Sequence, residues 1–431
     1  MSSFYIETYG CQMNTAESDA LEALLLGAGM KKAERPQDCD VAIINTCSVR
    51  QSAENRIWGR LGSYTPIKRQ KKMTLILTGC MAQRLGEDIK KSAPQLDYVV
   101  SVNDKMKILE IARAVQKDEK PEYEHSENYD FASSYYREGE FSSFVPIMNG
   151  CNNFCSYCIV PYVRGREVSR DVESILNEVR YLDSKNVKEI TLLGQNVNSY
   201  NYNGIRFPEL LKKVASLCSN IQWIRFESPH PKDFSDELIE VIKTEKKVAK
   251  HIHVPMQSGS TKILKDMNRR YTAEQYLSLI DRIRKEIPEI TFAVDVMVGF
   301  PGETEEDFND TIKALDTVGY IEAYMYYWNP REGTRAVTMD GQLSEKEKQE
   351  RLQKLIDFQL KKAAGIKEKR AGGIQDVLAL SVSRDNSSQM LGRNEHNEMV
   401  VFDLIKPVEP GSMTQVEFLY LNGNTYVGRQ V

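Results

Sequence analysis

The chain has 431 residues, of which 41% are apolar and 27% are charged, and its net charge is −4. This length predicts two or three domains, the composition fits a soluble globular protein, and the weak charge gives no hint of nucleic acid. No apolar run approaches the roughly 18 residues that cross a membrane, and the first ten residues do not resemble a signal peptide. We therefore expect a cytoplasmic protein, in which eight cysteines indicate metal binding or catalysis rather than disulfides.

The first 115 residues alternate between strand and helix patterns. Because βαβα alternation is typical of a parallel sheet covered by helices, we predict a domain of that kind over residues 1–115. The predicted strands are 4–8, 41–45, 75–78 and 96–101, and the helical patterns include 21–28 and 52–61. Residues 116–140 are polar, charged and poor in aliphatic side chains, which predicts a linker.

A second series of strands and helices begins at Phe144, within a predicted domain of residues 141–371. Six strand–helix repeats predict an incomplete TIM-like (β/α)6 barrel, since a complete barrel has eight strands. The predicted strands are 145–148, 189–193, 223–227, 251–254, 292–298 and 322–327, with helices such as 172–182 and 273–287 between them.

The C-terminal part of the chain begins with a charged helix over 346–369. Its predicted apolar stripe consists of Leu352, Leu355, Ile356 and Leu360. Four short alternating strands follow, at 377–383, 399–402, 415–419 and 426–430. They predict a small all-β barrel over residues 372–431, and the fold class as a whole is α/β with this β-barrel appended.

Three cysteines, Cys151, Cys155 and Cys158, follow the first predicted barrel strand as C-x3-C-x2-C. Three thiolates can hold three corners of a 4Fe–4S cube and leave the fourth iron open for reaction. A structural zinc site needs four ligands and a catalytic one needs an added histidine or water, and no histidine is close in sequence. An iron–sulfur cube is therefore favoured over zinc or unligated thiols.

A second set of cysteines, Cys11, Cys47 and Cys80, follows three successive predicted strands, 36 and 33 residues apart. The carboxyl ends of parallel strands meet at one edge of a sheet, so these thiols are expected to converge into a second three-thiolate site. The alternative is that they are three small buried core residues. Cys39 and Cys218 lack such placement and are predicted to be structural. His230, His251 and His253 are predicted to line the barrel or to lie in its core rather than to bind metal.

The spacing C-x3-C-x2-C, with an aromatic residue before the last cysteine, resembles the radical S-adenosylmethionine (SAM) superfamily over residues 144–330. That resemblance implies that the open iron binds SAM and that one electron cleaves it to methionine and a 5′-deoxyadenosyl radical. Because barrel active sites lie at the carboxyl ends of the strands, the residues after the strands are candidate SAM contacts. These candidates are Gly194, Gln195, Gln257, Ser258 and Gly299, with Tyr157 expected over the adenine. The alternatives are turns that need glycine for geometry alone and a Tyr157 that packs beside the loop.

Further motifs extend the resemblance to the radical SAM methylthiotransferase family over nearly the whole chain. They are residues 9–14 (YGCQMN), 45–50 (NTCSVR), 79–82 (GCMA), 164–170 (RGREVSR) and 392–397 (GRNEHN), the last resembling the TRAM module, a small RNA-binding barrel. The flanks of Cys47 and the Gly392–Arg393–Asn394 element are most similar to the branch that acts on tRNA.

The family resemblance implies two 4Fe–4S clusters with three cysteine ligands each and two uses of SAM. One SAM donates a methyl group, and the other yields the radical for transfer of methylthio to carbon 2 of N6-isopentenyladenosine at tRNA position 37. The implied partners are the tRNA anticodon stem-loop, an unidentified electron donor and a possible sulfur donor, and we expect a monomer. Alternative substrates are threonylcarbamoyladenosine tRNA and a ribosomal-protein aspartate. Other classes are an iron–sulfur scaffold or electron carrier and a zinc-dependent RNA-binding protein.

RNA contacts are predicted from local patches, because the last module carries four basic residues against seven acidic ones. Basic side chains concentrate at Lys361, Lys362, Lys367, Lys369 and Arg370, and at Arg164, Arg166 and Arg170. Candidate stacking residues are Phe402, Phe418, Tyr420 and Tyr426, of which some must form the core of so small a barrel. The alternative for the lysines is a solvated helix face. We expect RNA to be held jointly by the barrel mouth and the last module.

Overall fold

A computed structural model describes residues 2–48, 51–121, 124, 126, 128–131, 133 and 136–431. Val49 and Arg50, the end of the 45–50 motif, lie outside these residues. The chain forms two compact units. Unit 1 comprises Met1–Tyr136, Phe144–Asn152 and Cys158–Arg170, and unit 2 comprises Arg137–Ser143, Asn153–Tyr157 and Asp171–Val431.

Unit 1 is built on the predicted parallel sheet. Its strands lie in the order β2-β1-β3-β4-β5 and every neighbouring pair is parallel, so helices must connect them. Residues 41–46 of the central strand are all buried, which explains the unbroken apolar run over residues 41–44. The elements are β1 (Ser3–Thr8), α1 (Gln12–Gly27), β2 (Lys31–Lys32), β3 (Val41–Thr46), α2 (Gln51–Gln70), β4 (Thr74–Gly79), α3 (Cys80–Leu85), α4 (Ile89–Ser92), β5 (Tyr98–Val100) and α5 (Ile108–Gln116).

Two apolar clusters, one on each face, hold this sheet between its helices. One packs Ile57, Leu61 and Tyr64 of α2 against alternate residues of β3 and β4. The other packs Leu21 and Leu25 of α1 with helix α5 against the opposite face. Burying both faces fixes the register of the strands, which in turn fixes where their carboxyl ends lie.

The chain passes between the units around the cysteine triplet. The first predicted barrel strand is found as β6 (Ser142–Pro146), three residues earlier than predicted. It is followed by β7 (Met148–Asn149), α6 (Val160–Val163) and β8 (Val168–Ser169). Within unit 1, β7 and β8 pair in antiparallel fashion, which brings residues 148–149 next to residues 168–169.

Unit 2 contains the other five predicted barrel strands in parallel arrangement. Strand β9 pairs with β12, and β13, β14 and β15 form a second sheet in that order. A bridge between Ile224 and Val248 links β12 to the segment that leads into β13. The elements are α7 (Val172–Ser184), β9 (Glu189–Leu193), β10 (Asn201–Tyr202), β11 (Ile205–Arg206), α8 (Phe207–Leu217), β12 (Trp223–Phe226), α9 (Asp236–Thr244), β13 (His251–His253), α10 (Thr261–Asp266), α11 (Ala273–Glu286), β14 (Thr291–Val298), α12 (Glu305–Val318) and β15 (Glu322–Tyr327).

The predicted charged helix is α13 (Glu345–Glu368), but its buried face differs from the predicted stripe. Leu360 is 58% exposed, whereas Gln359 and Lys367 are buried, as is Leu355. The buried polar groups have partners: the Gln359 amide donates to Tyr320 O at 2.9 Å, and the Lys367 ammonium donates to Asn424 Oδ1 at 2.5 Å. Polar side chains can be buried when they are hydrogen-bonded. The pattern of apolar residues alone therefore did not predict the buried face of α13 correctly.

The last module is a closed barrel of five strands in the order β16-β17-β18-β20-β19, not four strands. Its core is formed by apolar side chains from all five strands, including Val377, Met390, Phe402, Phe418 and Tyr426. The strands are β16 (Ile374–Val382), β17 (Gln389–Asn394), β18 (Met399–Asp403), β19 (Met413–Asn422) and β20 (Thr425–Gln430). The unpredicted strand is β17, which contains Gly392, Arg393 and Asn394.

In the part of the chain that the structure describes, no helix is long and apolar enough to cross a membrane.

Candidate functional site

The three scattered cysteines of unit 1 follow three strands that are direct neighbours. Strand β3 lies between β1 and β4, and Thr46 is the register partner of Gly79. Cys47 and Cys80 come immediately after these two residues, and Cys11 comes three residues after the end of β1. Neighbouring strands lie about 4.8 Å apart, so the fold brings the segments that carry Cys11, Cys47 and Cys80 to one sheet edge.

Two glycines make this close approach possible. A Cβ on Gly10 would lie 2.5 Å from Cys47 Cβ, and a Cβ on Gly79 would lie 2.3 Å from the backbone oxygen of Thr46. Both glycines have positive φ, +125° and +93°, which other residues rarely adopt. The residue before Cys11 and the residue before Cys80 are therefore glycines for a steric reason.

The edge is also electrostatically suited to thiolates. Cys11 is the N-cap residue of α1, and Cys80 is the first residue of α3. Unpaired backbone N–H groups and the helix dipole make such positions favourable for negative charge. Cys47 and Cys80 are buried while Cys11 is exposed, which leaves one side of the edge open.

Among the described residues, no three His, Cys, Asp or Glu side chains come together closely enough to hold a single metal ion. A 4Fe–4S cube binds each thiolate through a different iron, so its ligands stand farther apart than those of a single ion. The donor set at this edge, three thiolates on a rigid sheet beside helix N-termini, fits a cube with one open iron.

The remaining cysteines behave differently. Burial raises the pKa of the Cys39 thiol to about 12, and the thiol donates to Pro36 O at 3.2 Å. Burial likewise raises the pKa of the Cys218 thiol to about 12, and that thiol donates to Val214 O at 3.2 Å. Both are protonated core groups, in agreement with the structural role predicted for them.

In unit 1, the start of the cysteine triplet is clamped by the segment that follows it. The backbone N–H of Cys151 donates to Gly165 O at 3.1 Å, and the Asn149 amide donates to Arg164 O at 3.2 Å. A Cβ on Gly150, whose φ is +81°, would lie 2.1 Å from Arg166 O. The motif RGREVSR therefore acts locally as a support for the residues around Cys151.

In unit 2, the middle of the triplet is held by residues that the sequence analysis did not single out. The Asn268 amide donates to Asn153 O and Phe154 O, at 3.3 and 2.9 Å. The buried guanidinium of Arg269 lies 3.5 Å from Cys155 Sγ and also donates to Pro255 O. A buried positive charge therefore lies in hydrogen-bond contact with this sulfur.

The predicted SAM contacts lie in unit 2 at the carboxyl ends of parallel strands. Gly194 directly follows β9 and Gly299 directly follows β14, while Gln257 lies four residues beyond β13 and bridges to Val296. Gln257 has a φ of +72°, an unusual conformation for a residue other than glycine. Its backbone N–H donates to Asp295 O and its carbonyl accepts from Met297 N, so this conformation is held in place. Gln195 follows Gly194 in the same turn.

Two of the predicted SAM contacts have structural partners. Ser258 is fully buried and its hydroxyl lies 3.3 Å from Thr311 Oγ1, so its contact with SAM stays a prediction. Tyr157 packs against the cluster that contains Phe300 and Trp328. Its packing alternative is thus observed, and its place over the adenine stays a prediction.

The barrel histidines belong to the polar lining of unit 2, as predicted. His253 lies between Glu227 and Asp295, with its ring nitrogens 3.2 and 3.3 Å from the two carboxylates. At these distances His253 forms ion pairs with the two carboxylates, but neither ring nitrogen is aligned for a hydrogen bond. Burial lowers the pKa of His253, but the two carboxylates outweigh burial and raise it to about 10. His251 Nε2 lies 3.5 Å from Glu322.

The GRNEHN element lies at the other end of the barrel strands in unit 2. Arg225 donates to Glu395 O and Asn394 O, at 2.8 and 3.1 Å. The Glu395 carboxylate accepts from Lys250 N, and the Asn397 amide donates to Glu322, the first residue of β15. The turn between β17 and β18 therefore caps the amino-terminal ends of the strands, opposite the end where barrel active sites form.

Several candidates for RNA contact have buried side chains, and three of the aromatic candidates form the barrel core that the sequence required of some of them. Arg164 and Arg170 are only 6% and 2% exposed, and Arg170 donates to Pro146 O. Lys367 is buried as well, and Phe402, Phe418 and Tyr426 form the core of the last barrel. Lysine and arginine have long aliphatic stems that can be buried, and aromatic rings can be buried as well. The sequence shows the charge or the ring but not whether the side chain is buried. Exposed candidates that remain are Arg166, Lys361, Lys369 and Tyr420.

Comparison with known proteins agrees with this geometry. Residues 145–315 match the radical SAM superfamily, and residues 3–101 match the uncharacterized protein family UPF0004. The chain is 44% identical, over 98% of its length and 97% of the relative's, to the tRNA-2-methylthio-N(6)-dimethylallyladenosine synthase of Treponema pallidum strain Nichols. The chain belongs to this family of synthases. Relatives of the same name from Treponema denticola and Lachnoclostridium phytofermentans are 44% and 40% identical, over 98% and 100% of this chain and 99% and 95% of their own lengths.

Solved structures confirm the fold class. The radical SAM methyltransferase TsrM from Kitasatospora setae has a TM-score of 0.60 at 14% identity, covering 78% of this chain and 74% of its own. The radical SAM enzyme OxsB has a TM-score of 0.53 at 12% identity, covering 82% of this chain and 56% of its own. At such low identity these structures support the predicted α/β fold with a radical SAM domain and nothing finer.

Proposed function

We propose that this chain is a tRNA-modifying methylthiotransferase. It adds a methylthio group to carbon 2 of N6-isopentenyladenosine at position 37, beside the tRNA anticodon. The observation that carries this proposal is the full-length similarity to synthases of that name, at 40–44% identity. The convergence of Cys11, Cys47 and Cys80 at one sheet edge supports it, because sulfur transfer needs a second cluster site besides the radical-generating one.

Two cysteine sets are proposed as cluster ligands. Cys151, Cys155 and Cys158 would hold one 4Fe–4S cluster, and Cys11, Cys47 and Cys80 would hold the other. When bound, the first cluster supplies one electron that cleaves SAM to a 5′-deoxyadenosyl radical, and the second supplies a site for sulfur that a further SAM methylates. A C–H bond at carbon 2 lies outside the reach of side-chain acids and bases, which is why a radical is needed.

The chain itself contributes position and charge to these steps. Arg269 donates a hydrogen bond to Cys155 Sγ, and Asn268 holds the two backbone carbonyls that precede Cys155. At the strand ends, Gly194, Gln195, Gln257, Ser258 and Gly299 are proposed to meet SAM, with Tyr157 over its adenine. Glycine and left-handed turns there allow the backbone to approach a ligand closely.

We further propose a division into residues 1–115, a linker over 116–140, a radical SAM domain over 141–371 and a TRAM domain over 372–431. tRNA would contact the barrel mouth and the exposed face of the last module. A cytoplasmic monomer that receives electrons from a separate donor completes the proposal.

The test is an anaerobic reaction with reconstituted protein, reductant and SAM. The substrate arms are tRNA carrying isopentenyladenosine, tRNA carrying threonylcarbamoyladenosine, and the ribosomal protein with its target aspartate. We expect 5′-deoxyadenosine and a mass gain of one methylthio group on the isopentenyladenosine tRNA alone. Modification of either other substrate instead would assign the chain to another branch. Absence of 5′-deoxyadenosine in all arms, from a preparation with full iron content, would favour a scaffold or electron carrier.

A further inference from the structure

A fully buried group of charges in unit 1 adjoins the site formed by Cys11, Cys47 and Cys80. The Glu17 carboxylate accepts from the Lys105 ammonium and from Arg164 Nη1, the latter at 2.8 Å. The side chains of all three residues are at most 3% exposed. The Tyr129 hydroxyl also donates to Glu17, at 2.8 Å. We call these four residues the Glu17 network.

The Glu17 network reaches all three strand ends that carry the cysteines. Arg164 Nη2 donates to Asn14 Oδ1 at 3.0 Å, and the Asn14 amide donates to Tyr9 O and Thr46 O, both at 2.8 Å. Those two carbonyls belong to the segments that lead into Cys11 and Cys47. Lys105 donates to Asn45 Oδ1 at 3.2 Å, an atom that faces Gly79, directly before Cys80.

Cys80 interacts electrostatically with both cations. For Lys105, burial outweighs Glu17 and Cys80, so its pKa lies below the usual value. For Arg164, burial is opposed by Glu17 and Cys80. For Arg164 the balance holds the pKa well above its usual value. The ion pair with the Glu17 carboxylate favours the ammonium form of Lys105.

The Glu17 network has an unbalanced charge. Among the described residues, Glu17 is the one carboxylate that pairs with either cation. Burial raises the pKa of Glu17, but Arg164 and Lys105 outweigh burial and lower it to about 2. Two cations and one anion leave one buried positive charge. An isolated buried charge is costly, so it calls for an anion nearby.

The site at the strand ends would supply that anion. A 4Fe–4S core of charge about +2 with three thiolates has a net charge of about −1, and reduction by one electron makes it more negative. We propose that Lys105 and Arg164 are the built-in counter-charge of the cluster held by Cys11, Cys47 and Cys80, and that they raise its reduction potential. Arg164, six residues after Cys158, is thus a positioning and tuning residue and does not contact RNA. This inference rests on the proposed ligation by the three cysteines.

The test measures the midpoint potential of that cluster by EPR-monitored redox titration of the full chain. A Cys151/Cys155/Cys158→Ala background removes the signal of the other cluster. Charge-removing variants are R164Q and K105Q, the opposite change is E17Q, the conservative rescue is R164K, and Y129F is the matched control that removes a hydrogen bond without changing charge. Iron content is measured for every variant.

Removing a cation should lower the potential and removing Glu17 should raise it. We expect at least about a tenfold change in the reduced-to-oxidised ratio at fixed potential, which corresponds to 59 mV for one electron. R164K and Y129F should stay near the parent. Shifts of the same sign in R164Q and E17Q, or unchanged potentials in both, would overturn the inference.

Iron content separates the possible failures. A background variant that holds no cluster would refute the ligation by Cys11, Cys47 and Cys80, and with it the proposed function. A cluster that is held with an unaltered potential in R164Q and K105Q would refute only the counter-charge role. If R164Q and K105Q fold but lose the cluster while R164K and Y129F keep it, the positive charge is needed to hold the cluster and the inference stands.

Discussion

Replacing Gly79 by alanine should selectively damage the site at the strand ends of unit 1. Its φ is +93°, and the new Cβ would lie 2.3 Å from Thr46 O and 2.7 Å from Asn45 Oδ1. With a ψ of −165°, this is a backbone conformation that essentially only glycine adopts, and it costs another residue about 1–3 kcal/mol. Forcing a methyl against backbone in a close-packed interior adds about 1–3, so we expect about 2–6 kcal/mol in all. The displaced atoms belong to the segment that places Cys47 and Cys80.

Gly29 is the matched control for this substitution. Its φ is +81°, and a Cβ there would meet nothing within 4 Å, so G29A should cost only about 1–2 kcal/mol of conformational strain. The assay compares denaturation midpoints and iron per chain in the two variants after anaerobic reconstitution. We expect G79A to unfold at lower denaturant than G29A and to hold about four irons, whereas G29A holds about eight. Equal midpoints and equal iron in G79A and G29A would refute the steric account of this edge.

Further predictions concern other parts of the chain. The pKa of His253 is raised to about 10, so its contribution to stability is complete below about pH 6.5 and is lost as pH rises toward 10; denaturation midpoints of H253Q should lack that decline. Burial lowers the pKa of His396 to about 4, so stability should fall as pH falls from about 6.5 to 4, and H396Q should flatten this decline. The R225M variant removes a buried guanidinium that pairs with the buried Glu189 carboxylate and also donates to two backbone carbonyls, so it should destabilise unit 2 by about 3–5 kcal/mol in denaturant titrations. Tyr420 is 56% exposed, so Y420A should weaken tRNA binding by about 1–3 kcal/mol in a filter-binding assay without unfolding. The buried control F418A should instead cost about 3–5 kcal/mol of stability.

Hydrophobic patterns predicted most of the fold because many strands of the two α/β parts are either short apolar runs or alternate between apolar and polar residues. Strand β17 escaped prediction for a physical reason. Its inward-facing residues are Met390, Gly392 and Asn394, so two of the three positions that should be apolar are not. Asn394 can be buried because it donates to Glu398, four residues further along, and to Gln375 of the neighbouring strand β16.

The site formed by Cys11, Cys47 and Cys80 was predictable because each cysteine follows a strand of the predicted sheet. Cysteines placed after successive strands must meet at a sheet edge, and this arrangement is observed in unit 1. Arg164 was misjudged because a sequence shows its charge but not its partner: Glu17 is 147 residues away in the chain. Arg269 was overlooked because its contact with Cys155 spans 114 residues. Whether an arginine is buried or exposed thus depends on partners far away in the sequence. The local sequence pattern does not show these partners.

Anaerobic iron and sulfide counting on three proteins tests the central claim of two separate three-thiolate clusters. The proteins are the unaltered chain, the Cys151/Cys155/Cys158→Ala variant and the Cys11/Cys47/Cys80→Ala variant. We expect about eight irons in the first and about four in each variant, with matching sulfide. A triple variant that keeps all its iron, or one that loses both clusters while remaining folded, would contradict the account.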